Sequence, residues 1–173
     1  LVRFSLATPE AKKGYTNVIG LLGKKLAIYL AAVLTTYLLA TAAASLHVAS
    51  RLASMGVTLD LAGRLSMILQ DIAGMAGMFL PLIALALLIA FVVTALLVYL
   101  LRRGRIPLYV LAGAAAMLAL HFTMNAVFGL TAVAVARSAG GLLTQALAGA
   151  VGGFVYVCLN RRFGERIIDT LDA

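Results

Sequence analysis

Four long stretches of the chain, residues 26–50, 72–101, 106–136 and 138–160, contain no Lys, Arg, Asp or Glu. Each exceeds the roughly 20 residues that carry a helix across about 30 Å of hydrocarbon at about 1.5 Å per residue. Leu, Ala, Ile and Val fill them without period-2 alternation. That pattern excludes a membrane β-barrel and predicts helices that satisfy their own backbone hydrogen bonds. Spans are expected over about 26–47, 77–101, 107–129 and 141–160, which together make a transmembrane domain over 26–160. The fold class is therefore an all-α integral membrane protein, a four-transmembrane-helix bundle.

The segments between and around the spans have their own patterns. Residues 1–25 mix Phe4, Leu6, Tyr15, Val18 and Ile19 with Lys and Gly, which suits a cytoplasmic or interfacial N-terminal segment. In the first connection, 49–76, Leu52, Met55, Leu59, Leu61, Leu65, Ile68 and Leu69 recur at near-helical spacing among Arg51, Asp60, Arg64, Gln70 and Asp71. This predicts an amphipathic helix in the first outer loop, starting near Asp60. Pro81 is expected in the first turns of span two and Pro107 at the start of span three, positions where few backbone donors are lost. The short turn over 102–105, with Gly104, makes spans two and three antiparallel neighbours. Residues 161–173 form a charged cytoplasmic tail.

Composition agrees with this reading: 64% of residues are hydrophobic and 12% charged, more apolar surface than a water-soluble fold can hide. The net charge of +8 raises nucleic acid as a partner, but the basic residues cluster at span ends. Arg3, Lys12, Lys13, Lys24, Lys25, Arg102, Arg103, Arg105, Arg161, Arg162 and Arg166 lie on one side, leaving Arg51, Arg64 and Arg137 on the other. By the positive-inside rule both termini are expected in the cytoplasm, with the protein in a bacterial inner membrane. The basic excess is then a topological determinant near anionic headgroups, and nothing argues for nucleic acid. Lys24 and Lys25 followed by a run ending in Ala42, Ala43, Ala44 and Ser45 resemble a signal peptide, but the run is too long and an uncleaved first helix is expected. The lone Cys158 permits no disulfide within the chain.

Candidate chemistry resides in the few polar residues of the spans. His121 and Asn125 are four apart in span three and share a face. A polar pair in hydrocarbon needs partners. Ser45 and His47 in span one and Gln145 in span four offer them at matching depth, and Asp71 and Arg137 at the span edges add charge. Interhelical bonding that pins the bundle and an outward-facing ligand site are equally good readings of these residues. Gly149, Gly152 and Gly153 form a small-xxx-small face for close helix packing, within the chain in preference to between chains. Met117 and Met124 flank His121, and Met75 and Met78 lie beside the outer loop, but Met is more often a core filler than a Cu(I) ligand. No metal site or cofactor is expected.

No membrane-embedded Asp pair, HExxH, CxxC or Gly-rich phosphate loop occurs in the chain. The expectation is a small non-enzymatic inner-membrane protein that binds a partner membrane protein or a lipid through its outer-leaflet face, with a homo-oligomer as another form of partner. The alternative is an oligomeric unit of a small-solute or ion transporter or channel. Against that stands the inner half of the spans, where polar residues are nearly absent.

Overall fold

The computed structural model contains four helices, α1 (Pro9–Ser54), α2 (Leu61–Leu101), α3 (Arg105–Phe128) and α4 (Ala139–Leu171). It describes residues 9–101, 104–128 and 138–171, with no strand among them. All four helices contain a segment long and apolar enough to cross a membrane. They form a ring in chain order: α1 packs on α2, α2 on α3, α3 on α4, and α4 on α1. Successive helices run antiparallel, so the N-terminal end of α1, the C-terminal end of α4 and the α2–α3 turn share one end of the bundle. That is the termini end; the α1–α2 connection, the C-terminal end of α3 and the N-terminal end of α4 mark the loop end.

The largest difference from the sequence expectation concerns the flanking segments. The amphipathic stretch before span two is not a separate element, because α2 runs unbroken for 41 residues from Leu61, about 62 Å at 1.5 Å per residue. Pro81 therefore lies deep inside a helix and not in its first turns. The hydrogen bond it cannot make falls on the carbonyl of Gly77, and a single loss of this kind is tolerated in a membrane helix. Likewise α1 is helical from Pro9, through most of the expected N-terminal segment, and α4 continues past Asn160 to Leu171.

The α1–α2 connection shrinks accordingly to residues 55–60, and its chemistry explains the sharp reversal. Gly56 takes φ +88°, the left-handed conformation that favours glycine. The bonds Gly56 N–H to Ala53 C=O (3.1 Å) and Val57 N–H to Leu52 C=O (3.0 Å) complete a Schellman cap. Asp60 then caps α2, its Oδ1 accepting the Gly63 N–H at 2.8 Å. Gly104, at φ +77°, turns the chain into α3, and Ser138 caps α4 by accepting the Gly141 N–H at 3.1 Å.

The core is built from unlike helix faces. From α2 come the large side chains Phe79, Ile83, Leu87 and Phe91, one per turn; α1 gives Ala32, Val33, Ala40 and Ala44, and α3 gives Ala116 and Met117. Small residues draw backbones together where lipid supplies no hydrophobic drive between helices. The closest approach is between α3 and α4: a Cβ on Gly113 or Gly149 would collide with the other's carbonyl oxygen, and one on Gly153 with the Tyr109 carbonyl. Gly152 faces the other way, its missing Cβ leaving room for Thr36 of α1. Span four thus spends its glycines on two neighbours at once.

Candidate functional site

One residue from each helix builds a layer across the loop-end half of the bundle. Tyr37 of α1 stands 6.4 Å, centroid to centroid, from Phe79 of α2. Phe79 stands 6.1 Å from the His121 ring of α3. His121 is within side-chain hydrogen-bonding reach of Gln145 on α4, and Gln145 Nε2 donates to the Ala40 carbonyl at 2.9 Å, closing the circuit back to α1. His121 is 4% exposed and Gln145 fully buried. Each sits where the 3.6-residue period turns its face inward.

Hydrogen bonding in this layer is incomplete. His121 Nε2, Gln145 Oε1 and the Thr41 hydroxyl are buried without a partner at bonding geometry. An unpaired buried polar group costs about 1–3 kcal/mol, so small adjustments that pair these atoms are favoured. An imidazole with its proton on Nε2 is the donor that Gln145 Oε1 lacks. Thr41 has its own helix carbonyl four residues back, the acceptor that Thr36 uses on Ala32 at 2.9 Å. The hydrogen bond of this layer joins α4 to α1, and His121 of α3 packs against it.

A second set of ties joins α1 to α2. The Tyr29 hydroxyl donates to the Ala84 carbonyl and the Tyr37 hydroxyl to the Ile72 carbonyl. Further toward the loop end, Ser45 Oγ lies 2.6 Å from Asp71 Oδ2 and 3.0 Å from its own helix's Thr41 carbonyl. One hydroxyl proton serves one of them, and the shorter, charge-assisted bond to the carboxylate is the stronger. His47 Nε2 lies 3.4 Å from Ser138 Oγ, which sets the α4 N-terminus level with His47.

Of the residues singled out in the sequence, the fold brings Ser45 to Asp71 and Gln145 to both α1 and His121. It separates Asn125 from His121: Asn125 is exposed while His121 is buried. Four residues turn a helix by about 400°, not 360°, and that drift carries Asn125 off the packed face. Arg137 lies outside the described residues. Met117 and Met124 are buried in the hydrophobic core, and among the described residues no group of three or more His, Cys, Asp or Glu gathers to hold a metal ion.

Sequence reasoning passed over Phe79, Gly113 and the aromatic cluster at the termini end. There Phe91, Tyr109 and Tyr156 pack on one another with centroids 4.4 to 5.6 Å apart. The four-residue repeat Phe79, Ile83, Leu87, Phe91 was the available signal, as was the single glycine in α3. Compared with known proteins, the chain matches no family model, no curated relative and no solved structure, so function rests on this geometry.

Proposed function

We propose that the chain is a non-enzymatic protein of the bacterial inner membrane, termini in the cytoplasm, that holds a partner membrane protein at its outer face through the α1–α2 hairpin. The observation carrying this reading is an unpartnered leucine stripe. Leu61, Leu65 and Leu69, one turn apart on α2, are 75%, 53% and 65% exposed. They are interspersed with the exposed polar residues Arg64, Ser66 and Gln70, a mixture that suits the depth of headgroups and water better than hydrocarbon.

The posture of the hairpin supports a protein partner over a lipid surface. An amphipathic helix that binds lipid lies in the plane of the interface. Here residues 61–71 belong to the same unbroken helix as the membrane-spanning part of α2. The Tyr37–Ile72 and Ser45–Asp71 bonds hold them against α1. With the α4 N-terminus level with His47, the last two turns of α1 and the first turns of α2 rise past it. An upright pair of helices presents its leucines sideways, toward the part of a neighbouring membrane protein that stands outside the hydrocarbon.

Transport is the weaker reading. In the termini-end half the buried hydroxyls of Thr36 and Thr94 donate to their own helix, at 2.9 and 2.7 Å, and the aromatic cluster of Phe91, Tyr109 and Tyr156 fills the interior, which argues against a polar path through a single bundle. Catalysis is weaker still: in the His47–Ser138 contact the serine oxygen already caps α4, and no carboxylate among the described residues bonds to His47.

Photo-crosslinking in native membranes tests the proposal. A photoreactive residue at Leu65 or Leu69 is expected to yield a discrete protein adduct that one at Leu88, exposed on the membrane-spanning part of α2, does not. Leu65→Asp, combined with the probe at Leu69, should reduce it several-fold. Adducts to lipid alone from both positions would reject the reading.

A further inference from the structure

Between α2 and α3 runs an open furrow of about 610 Å³, with Leu85, Ile89 and Val93 on its α2 wall and Ala112, Ala116 and Ala119 on its α3 wall. That volume lies within the range of about 300–1,000 Å³ typical of ligand sites. Its α2 wall runs from Leu82 to Leu97 and its α3 wall from Leu108 to Thr123, about 22 Å at 1.5 Å per residue. A membrane-spanning helix crosses about 30 Å of hydrocarbon and is about 10–12 Å across, longer than the furrow and too broad for more than one of its ridges to enter. An acyl chain is thin and needs only about half the hydrocarbon thickness, some 15 Å.

Charge selects among lipids. The termini-end mouth of the furrow opens between Leu97 and Leu108, one turn from Arg105. The Arg105 side chain is exposed. Lys24, Lys25, Arg161 and Arg162 are exposed at the same end. The acidic residues whose side chains are described, Asp60 and Asp71, both belong to the loop end.

We infer that the α2–α3 furrow holds an anionic phospholipid of the leaflet at the termini end, its phosphate against Arg105 and one acyl chain lying along the alanine wall. This site stands apart from the hairpin at the other end and does not depend on it. Basic groups at the mouth of an interhelical groove on the cytoplasmic side are the chemistry that holds acidic headgroups, while the uncharged furrow accepts any chain of suitable length.

Native mass spectrometry of the delipidated full-length chain, offered dioleoyl phosphatidylglycerol or dioleoyl phosphatidylcholine at equal concentration, tests this. Phosphatidylglycerol is expected to be retained about fivefold over phosphatidylcholine, the effect of roughly 1 kcal/mol for one basic residue near an anionic group. Arg105→Gln should abolish that preference while retaining both lipids. Ala119→Phe, at an exposed position, should fill the furrow and reduce retention of both. The inference fails if the wild type retains the two lipids equally, or if the preference survives Arg105→Gln. It fails equally if Ala119→Cys in a Cys158→Ser background traps a disulfide-linked dimer, which would put a second copy in the furrow.

Discussion

The two halves of the bundle are held by different forces. At the termini end, α3 and α4 approach until glycine backbones touch and Phe91, Tyr109 and Tyr156 close the interior. At the loop end, side-chain hydrogen bonds tie α1 to α2 and Gln145 ties α4 to α1. Backbone contact cannot relax, whereas a hydrogen-bonded tie in a membrane protein averages only about 0.6 kcal/mol, with an upper end near 2. One half is therefore a rigid wedge, and the other is adjustable.

The sharpest way to break this contrast is to give the wedge a side chain. Gly149→Ala puts a methyl group against the Gly113 backbone, and because no flexible side chain can yield there, a loss of about 3 kcal/mol is expected, the upper part of the usual overpacking range. Unfolding in SDS or by steric trapping measures it. Gln145→Leu comes next: losing the bond to the Ala40 carbonyl across α1 and α4 should cost about 1–2 kcal/mol by the same assay. A double-mutant cycle on Ser45→Ala and Asp71→Asn should give a coupling of about 1 kcal/mol. Thr94→Val should change stability by less than about 0.5 kcal/mol, since that hydroxyl serves only its own helix. If Thr94→Val proved as costly as Gln145→Leu, the division between interhelical ties and local bonds would be lost.

The spans were legible because hydrocarbon imposes a length and forbids charge, so uninterrupted runs ending in Arg and Lys mark them without any knowledge of packing. Their limits were less legible. Polarity rises over 61–76, and that signals a change of solvent, not the end of a helix; nothing between Leu61 and Leu101 breaks the backbone ladder except Pro81. His121 and Gln145 stood out as polar groups that need partners. That Gln145 reaches Ala40, and that Asn125 turns away, depends on crossing geometry that single-helix periodicity does not contain. Gly113 was illegible for a related reason: its importance lies in Gly149, on another helix.

The claim on which the functional reading depends is that the α1–α2 hairpin stands upright out of the bilayer. Single cysteines at Leu65 and Leu88 in a Cys158→Ser background, reconstituted in liposomes and exposed to a membrane-impermeant maleimide on the hairpin side, test it directly. Leu65→Cys is expected to label as readily as Met55→Cys, while Leu88→Cys stays protected. Equal protection at 65 and 88 would mean that the leucine stripe lies in lipid, contradicting the account.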